Sequence, residues 1–149
     1  MSELSDLYQE IILDHNRRPR NFGRLEHPTH QAEGHNPLCG DEISVFVEVE
    51  GDRITNISFD GQGCAISKAS ASLMTSRLKG RTLDEVRSVT ADVRQLLTGT
   101  GEEPPDLERL GDLAALEGVR KYAVRVKCAT LAWHALEAAL AGKHEITTE

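Results

Sequence analysis

Three cysteines and one aspartate are placed where they could do chemistry. Cys39 and Asp41 stand in Asn36-Pro37-Leu38-Cys39-Gly40-Asp41, Cys64 ends Gly61-Gln62-Gly63-Cys64, and Cys128 follows Arg125-Val126-Lys127. The spacing Cys-x24-Cys-x63-Cys contains no local CxxC knuckle, so a shared site must be gathered by folding. Cys39 falls in a turn just before a strand, while Cys64 and Cys128 are each predicted immediately before a helix. At a helix start, free backbone N–H groups and the positive dipole end favour thiolate over thiol. Thiolates bind metals and attack the sulfur of a persulfide. The plain alternative is three small buried hydrophobes with no common purpose.

Asp41 is the natural fourth ligand, across Gly40 from Cys39. Three thiolates and a carboxylate suit tetrahedral Zn²⁺ and leave the site net negative. The hard oxygen is the weakest member of a thiolate-rich set, which points to a site that exchanges a ligand rather than a closed structural one. An Asx-type turn is the alternative role for Asp41. Arg125 and Lys127 flank Cys128 and would offset the negative charge, or simply face solvent. His35 could reach a metal near Cys39, although a loop histidine of this kind is more often solvated. His134 lies about 240° round its helix from Cys128 and is expected outside the site. His15, His27, His30 and His144 have no specific setting.

The elements that must position these residues follow from periodicity. Leu7, Ile11 and Ile12 make the stripe of a first helix capped by Ser5 or Asp6 and ending near His15. The polar run from Leu25 to Pro37 reads as loop or edge strand. Ile43, Val45, Val47 and Val49 alternate with Ser44, Phe46, Glu48 and Glu50, the period of a half-buried strand. After the Gly51-Asp52 turn a second strand carries Ile57 and Phe59 on one face and Ile54 on the other. A helix is predicted over Ala65 to Lys79, ended by Gly80. Thr82-Leu83-Asp84-Glu85 is a capping box opening a short helix, with a further turn or two through Val93, Leu96 and Leu97. Gly99 to Pro105 reads as a loop. Leu107, Leu110, Leu113 and Leu116 recur every third residue and suggest a helix that Gly111 weakens. The last helix is predicted over Ala129 to Ala141, with a frayed tail from Gly142. The order predicts an α+β fold in one domain, 1–149, with a small antiparallel sheet covered by helices on one face.

Bulk properties exclude some functions. The 149 residues are 39% hydrophobic, 28% charged and only 4% aromatic, so the core must be aliphatic and alanine-rich. A net charge of −7 argues against a nucleic-acid groove and against anchoring to an anionic membrane. The acidic start Met1-Ser2-Glu3-Leu4-Ser5-Asp6 has no apolar signal region, and a cytoplasmic location is expected. An odd number of cysteines excludes a full disulfide framework.

Four motifs carry a resemblance to the U-type iron–sulfur cluster assembly proteins, the SufU, IscU and NifU N-terminal family. They are Asp14-His15 with Pro19-Arg20-Asn21; Asn36 to Asp41; Gly61-Gln62-Gly63-Cys64-Ala65-Ile66-Ser67; and Arg125-Val126-Lys127-Cys128-Ala129 with Leu131 and Trp133. The resemblance runs from about Leu7 to Leu140. It implies that Cys39, Asp41, Cys64 and Cys128 bind zinc or a nascent [2Fe–2S] cluster. It also implies that these cysteines take sulfur from a pyridoxal-phosphate cysteine desulfurase. Ala123-Val124-Arg125-Val126-Lys127 stands where the IscU branch has a Leu-Pro-Pro-Val-Lys chaperone motif and a histidine, and the chain looks longer between Gly80 and Gly118. Both features favour the SufU type: a zinc-bound sulfur acceptor in which a partner's competing ligand frees one thiolate, with Cys39 as acceptor because its Gly-flanked turn can swing. The expected partners are a SufS-like desulfurase and a downstream scaffold or apo iron–sulfur protein. A true [2Fe–2S] scaffold on the same ligands is the first rival. A structural zinc interaction domain and a cysteine hydrolase using Cys64 are the others.

Overall fold

The computed structural model describes residues 3–99 and 107–147. Helix α1 (Glu3–Arg17) precedes strands β1 (His30–Asn36), β2 (Asp41–Glu50) and β3 (Arg53–Gln62). Then come α2 (Ala65–Leu78), α3 (Leu83–Thr98), the short α4 (Leu107–Leu110), a 3-10 helix (Gly111–Lys121), α5 (Ala123–Leu140) and β4 (Glu145–Thr147). The sheet order is β3-β2-β1-β4, antiparallel except that β4 runs parallel to β1. The fold is α+β, as expected, but its sheet is mixed rather than purely antiparallel. The tail that reads as frayed is the fourth strand, held by pairs from Glu33↔Glu145 to His35↔Thr147.

Three further elements depart from the sequence reading, each for a physical reason. The polar run expected to be loop or edge contains β1, a central strand. Its inward residues, Ala32, Gly34 and Asn36, are small or polar, so no hydrophobic alternation announces it. Their size is what admits α5: a Cβ on Gly34 would stand 3.0 Å from Leu131 Cδ1. On β3, Ile54 faces the same core as Ile57 and Phe59, because a register shift between Glu48 and Val49 pairs Ile54 with Val49 and Asn56 with Glu48. The extra residue of the bulge, Thr55, reverses the face. The Leu110, Leu113, Leu116 and Val119 series is buried along the 3-10 helix, whose three residues per turn suit a strict every-third-residue stripe. Gly111 (φ +58°) marks where the α-turn of α4 gives way to it.

The 83–98 segment is one continuous helix, opened by the expected capping box in which Thr82 and Glu85 bond reciprocally. The predicted loop over Gly99 to Pro105 falls almost wholly outside the described residues.

The core lies between the sheet and the helices. Ile43, Val45, Val47, Ile57 and Phe59 meet Leu73, Met74 and Leu78 from α2 and Leu131, Ala132, Ala135 and Leu136 from α5. On the opposite face Phe46 is also buried, with the Arg24 guanidinium 5.0 Å from its ring centre. No helix among the described residues is long and apolar enough to cross a membrane.

The Asp14-His15 and Pro19-Arg20-Asn21 motif forms a clasp on α2. The His15 Nδ1 is 2.7 Å from Ser72 Oγ, Arg20 N donates to the same hydroxyl at 2.8 Å, and Asn21 Nδ2 donates to Thr75 Oγ1 at 3.2 Å. Asn21 (φ +58°) turns the chain so that Phe59 N donates to its carbonyl and Gly23 N donates to Phe59 O, covering the β3 edge. Burial holds the His15 imidazole below its ordinary pKa, helped by the Arg20 charge and opposed by Asp14 and Asp112. The folded state therefore binds this proton less readily than the unfolded chain does. Stability from His15 is intact above the ordinary value of 6.5 and is lost as pH falls from there to the lowered folded value. Thermal midpoints taken between about pH 8 and pH 5 should fall, and His15→Gln should flatten that slope. His134, also held down by burial, accounts for part of what remains.

Candidate metal centre

The site forms where three chain segments end. Asn36 closes β1, and its carbonyl accepts from Cys39 N (3.2 Å) and Gly40 N (2.9 Å), making the turn that carries Cys39. Asp41 opens β2, opposite Asn36, and is 1% exposed. Its Oδ1 accepts from Cys64 N at 2.7 Å, tying β2 to the start of α2. Cys64 is the N-cap of α2, with φ −70° and ψ 166°, and its Sγ accepts from Ser67 N at 3.4 Å. A cap of this kind satisfies an orphan donor of the first turn and lends partial positive charge to the sulfur.

Gly63 is needed for space. A Cβ there would lie 2.4 Å from Asp41 Oδ1, so only glycine lets the chain pass the carboxylate.

Cys128 is not where its sequence setting predicts. Helix α5 begins at Ala123, so Cys128 sits in the second turn with its Sγ 3.6 Å from Val124 O, fully buried. Val124 and Val126 are β-branched and hide the helix start from composition alone. The predicted helix-start position therefore holds for Cys64 and fails for Cys128. Burial pushes the Cys128 thiol well up, reinforced by its hydrogen bonds to Cys39, Asp41 and Cys64 and by the Cys64 charge.

Three of the four expected residues nevertheless converge, with the fourth beside them. Cys128 Sγ is 3.3 Å from Cys39 Sγ, and one donor atom each of Cys39, Asp41 and Cys128 fall within 4.8 Å of one another. Cys64 stands just outside that group, its Sγ 3.9 Å from Asp41 Oδ2. Cys39 and Cys64 are partly exposed while Cys128 is buried, so the site opens on the side of Cys39 and Cys64. Leu38, next to Cys39 in the chain, and Val124, whose carbonyl is 3.6 Å from Cys128 Sγ, are exposed apolar residues. Arg125 is the cation that serves the site, its guanidinium held charged first by Cys64 and then by Cys128. Lys127 is exposed beside it.

His35 faces carboxylates rather than thiols, with Glu145 at 3.3 Å, Glu33 at 3.7 Å and Glu42 at 3.8 Å. His134 lies away from the site in a cleft between α3 and α5, as its helical phase predicts.

Two functional contributions were missed from sequence. Asn36 touches the site directly, its Nδ2 3.4 Å from Asp41 Oδ2 and 3.6 Å from Cys128 Sγ. Its position ahead of the Pro-Leu-Cys turn was a usable signal. Ser70 and Trp133 join the two cysteine-bearing helices: Trp133 Nε1 donates to Ser70 Oγ (3.1 Å), which donates to Ala129 O (2.6 Å).

The donor set fits a soft divalent cation. One buried and two partly exposed thiols lie around a buried carboxylate, and without a cation the Cys128 thiol is driven toward its neutral form. A bound cation reverses that penalty by pairing with the thiolates.

Fold and site together define an α+β protein that gathers sequence-distant cysteines and one aspartate at the ends of a sheet and two helices. The NifU-like N terminal domain model matches residues 7–129, and the chain belongs to that family. Over 140 residues it is 40% identical to the zinc-dependent sulfurtransferase SufU of Bacillus subtilis (strain 168), covering 94% of this chain and 93% of that one. It is 38% identical over 140 residues to the iron–sulfur cluster assembly scaffold protein IscU of Streptococcus pyogenes serotype M1, covering 94% and 86%. A solved SUF-system structure from Fervidobacterium islandicum AW-1 superposes with TM-score 0.82 at 34% identity, covering 94% of this chain and 99% of that one.

Proposed function

We propose that this chain, as one U-type domain over 1–149, serves iron–sulfur cluster assembly in the cytoplasm as a zinc-bound sulfur acceptor. Cys39, Asp41, Cys64 and Cys128 would hold Zn²⁺, which when bound keeps the thiolates ionised and fixed. Cys39 is the acceptor. Its thiolate attacks the outer sulfur of the persulfide on a pyridoxal-phosphate cysteine desulfurase of the SufS kind. A new S–S bond forms on Cys39, the desulfurase S–S bond breaks, and the electron pair leaves on the desulfurase cysteine. The sulfur then passes to a downstream scaffold or apo iron–sulfur protein.

One observation carries this reading: the Cys39 and Cys128 sulfurs are in contact, and of that pair Cys39 is partly exposed while Cys128 is buried. Cys128 anchors and Cys39 exchanges. Relatives named as a zinc-dependent sulfurtransferase and as assembly scaffolds both support the assembly role. Protein purified without added metal should carry stoichiometric zinc. After incubation with desulfurase and cysteine, mass spectrometry should find the added sulfur on Cys39, and Cys39→Ala should lose it. Full sulfur loading of Cys39→Ala would refute the assignment.

The second reading is a scaffold that builds a transient [2Fe–2S] cluster on the same ligands, favoured by the relatives named IscU. Anaerobic reconstitution followed by transfer of an intact cluster to an apo-ferredoxin would establish it.

A further inference from the structure

Asn36 is 1% exposed, and its side chain lies in the site rather than in the core. Its Nδ2 is 3.4 Å from Asp41 Oδ2 and 3.6 Å from Cys128 Sγ. Its Oδ1 is buried and, among the described residues, has no hydrogen-bond partner. The carboxylate sets this orientation: turning the amide over would bring its oxygen against Asp41 Oδ2, lone pair to lone pair. A buried amide that leaves its acceptor orphaned lowers stability, so its two N–H groups must be accounted for by what they hold.

The amide nitrogen serves two groups of the site. Nδ2 lies between the carboxylate and the buried sulfur, whereas Cys39 meets Asn36 through the turn backbone and accepts from Cys128 Sγ at 3.3 Å. Hydrogen bonds to a thiolate stabilise its charged form and lower its nucleophilicity. With a cation bound Cys128 has no S–H left to donate to Cys39, so of these two sulfurs the carboxamide quiets Cys128 and ties it to Asp41. We propose that Asn36 is a positioning residue: its carboxamide binds Asp41 and Cys128 into one fixed, quiet pair of metal ligands and leaves Cys39 as the ligand that exchanges. The inference rests on the metal-site reading above.

The test uses Co²⁺ as probe with the full chain, Asn36→Leu and Asn36→Ala. Leucine keeps the branching at Cγ, though it is bulkier, and removes both the donors and the orphan oxygen; Asn36→Ala removes them without added bulk. Metal-free Asn36→Leu should keep or raise the thermal midpoint, while its Co²⁺ affinity falls about tenfold or more. Its thiolate-to-cobalt charge-transfer band should move to longer wavelength, because an unbonded sulfur holds its electrons less tightly. Iodoacetamide should modify Cys39 first in the cobalt-loaded parent and should reach Cys128 as well in the variant. Unchanged affinity and band position would overturn the proposal, and so would loss of the folded metal-free state in both variants, which makes Asn36 a purely structural residue. A parent chain that takes up Co²⁺ without a thiolate-to-cobalt band would instead overturn the metal-site reading, and this inference with it.

Discussion

Gly63→Ala is expected to abolish useful metal binding while leaving most of the fold in place. The new methyl would lie 2.4 Å from Asp41 Oδ1, 3.0 Å from its Cγ and 3.1 Å from its Cβ. The carboxylate cannot yield easily: it is 1% exposed and its Oδ1 holds Cys64 N at 2.7 Å. Either Asp41 is expelled or the turn carrying Cys64 shifts, and both separate ligands that must meet. Gly63 does not occupy a left-handed backbone conformation, so the effect is steric rather than conformational. Zinc affinity, measured by competition with a chromophoric chelator, should fall about 100-fold. Stability of the metal-free protein should fall by about 1–3 kcal/mol, the usual cost of overpacking. A variant that binds zinc normally would show that Asp41 is dispensable at the site.

Trp133→Ala should be the most damaging single truncation for the fold, costing about 3–5 kcal/mol in denaturant unfolding. Trp133 is 3% exposed and lies in the core between α2 and α5, which carry Cys64 and Cys128. Its indole N–H also ends the chain Trp133, Ser70, Ala129 that ties these helices together. Trp133→Phe keeps most of the packing and loses only the hydrogen bond, since Ser70 Oγ retains Ala129 O. It should cost about 1 kcal/mol. Zinc affinity should drop with Trp133→Ala and stay near the parent value with Trp133→Phe, because the helix spacing survives in the second variant. Equal losses in the two would shift the weight from packing to the hydrogen bond.

Both effects depend on the same economy of small residues. Gly34 lets α5 close on β1, Gly63 lets the chain pass Asp41, and Ser70 and Ala129 let α2 and α5 approach within a hydrogen bond. The site is assembled by close approach, and bulk introduced at any of these points pushes ligands apart.

Local chemistry made much of this legible in advance. The alternation of Ile43, Val45 and Val47, the Thr82–Glu85 capping box and the Cys64 helix start depend on neighbours in the chain, and each stands as read. The candidate residues Cys39, Asp41, Cys64 and Cys128 were likewise visible by type and setting. Where a reading failed, a distant partner was the cause. β1 is central because α5 and β4 cover a strand with almost no hydrophobic signal of its own. Ile54 faces the core because a bulge against β2 resets its phase. Cys128 lies inside a helix whose first turn carries two β-branched residues, gives little propensity signal and packs on the core through Val126. Residue types and the short motifs around them named the candidates. The contact between the Cys39 and Cys128 sulfurs, the orientation of Asn36 and the choice of which thiol is buried came only with the tertiary structure, because burial and distance between remote residues belong to the packed chain.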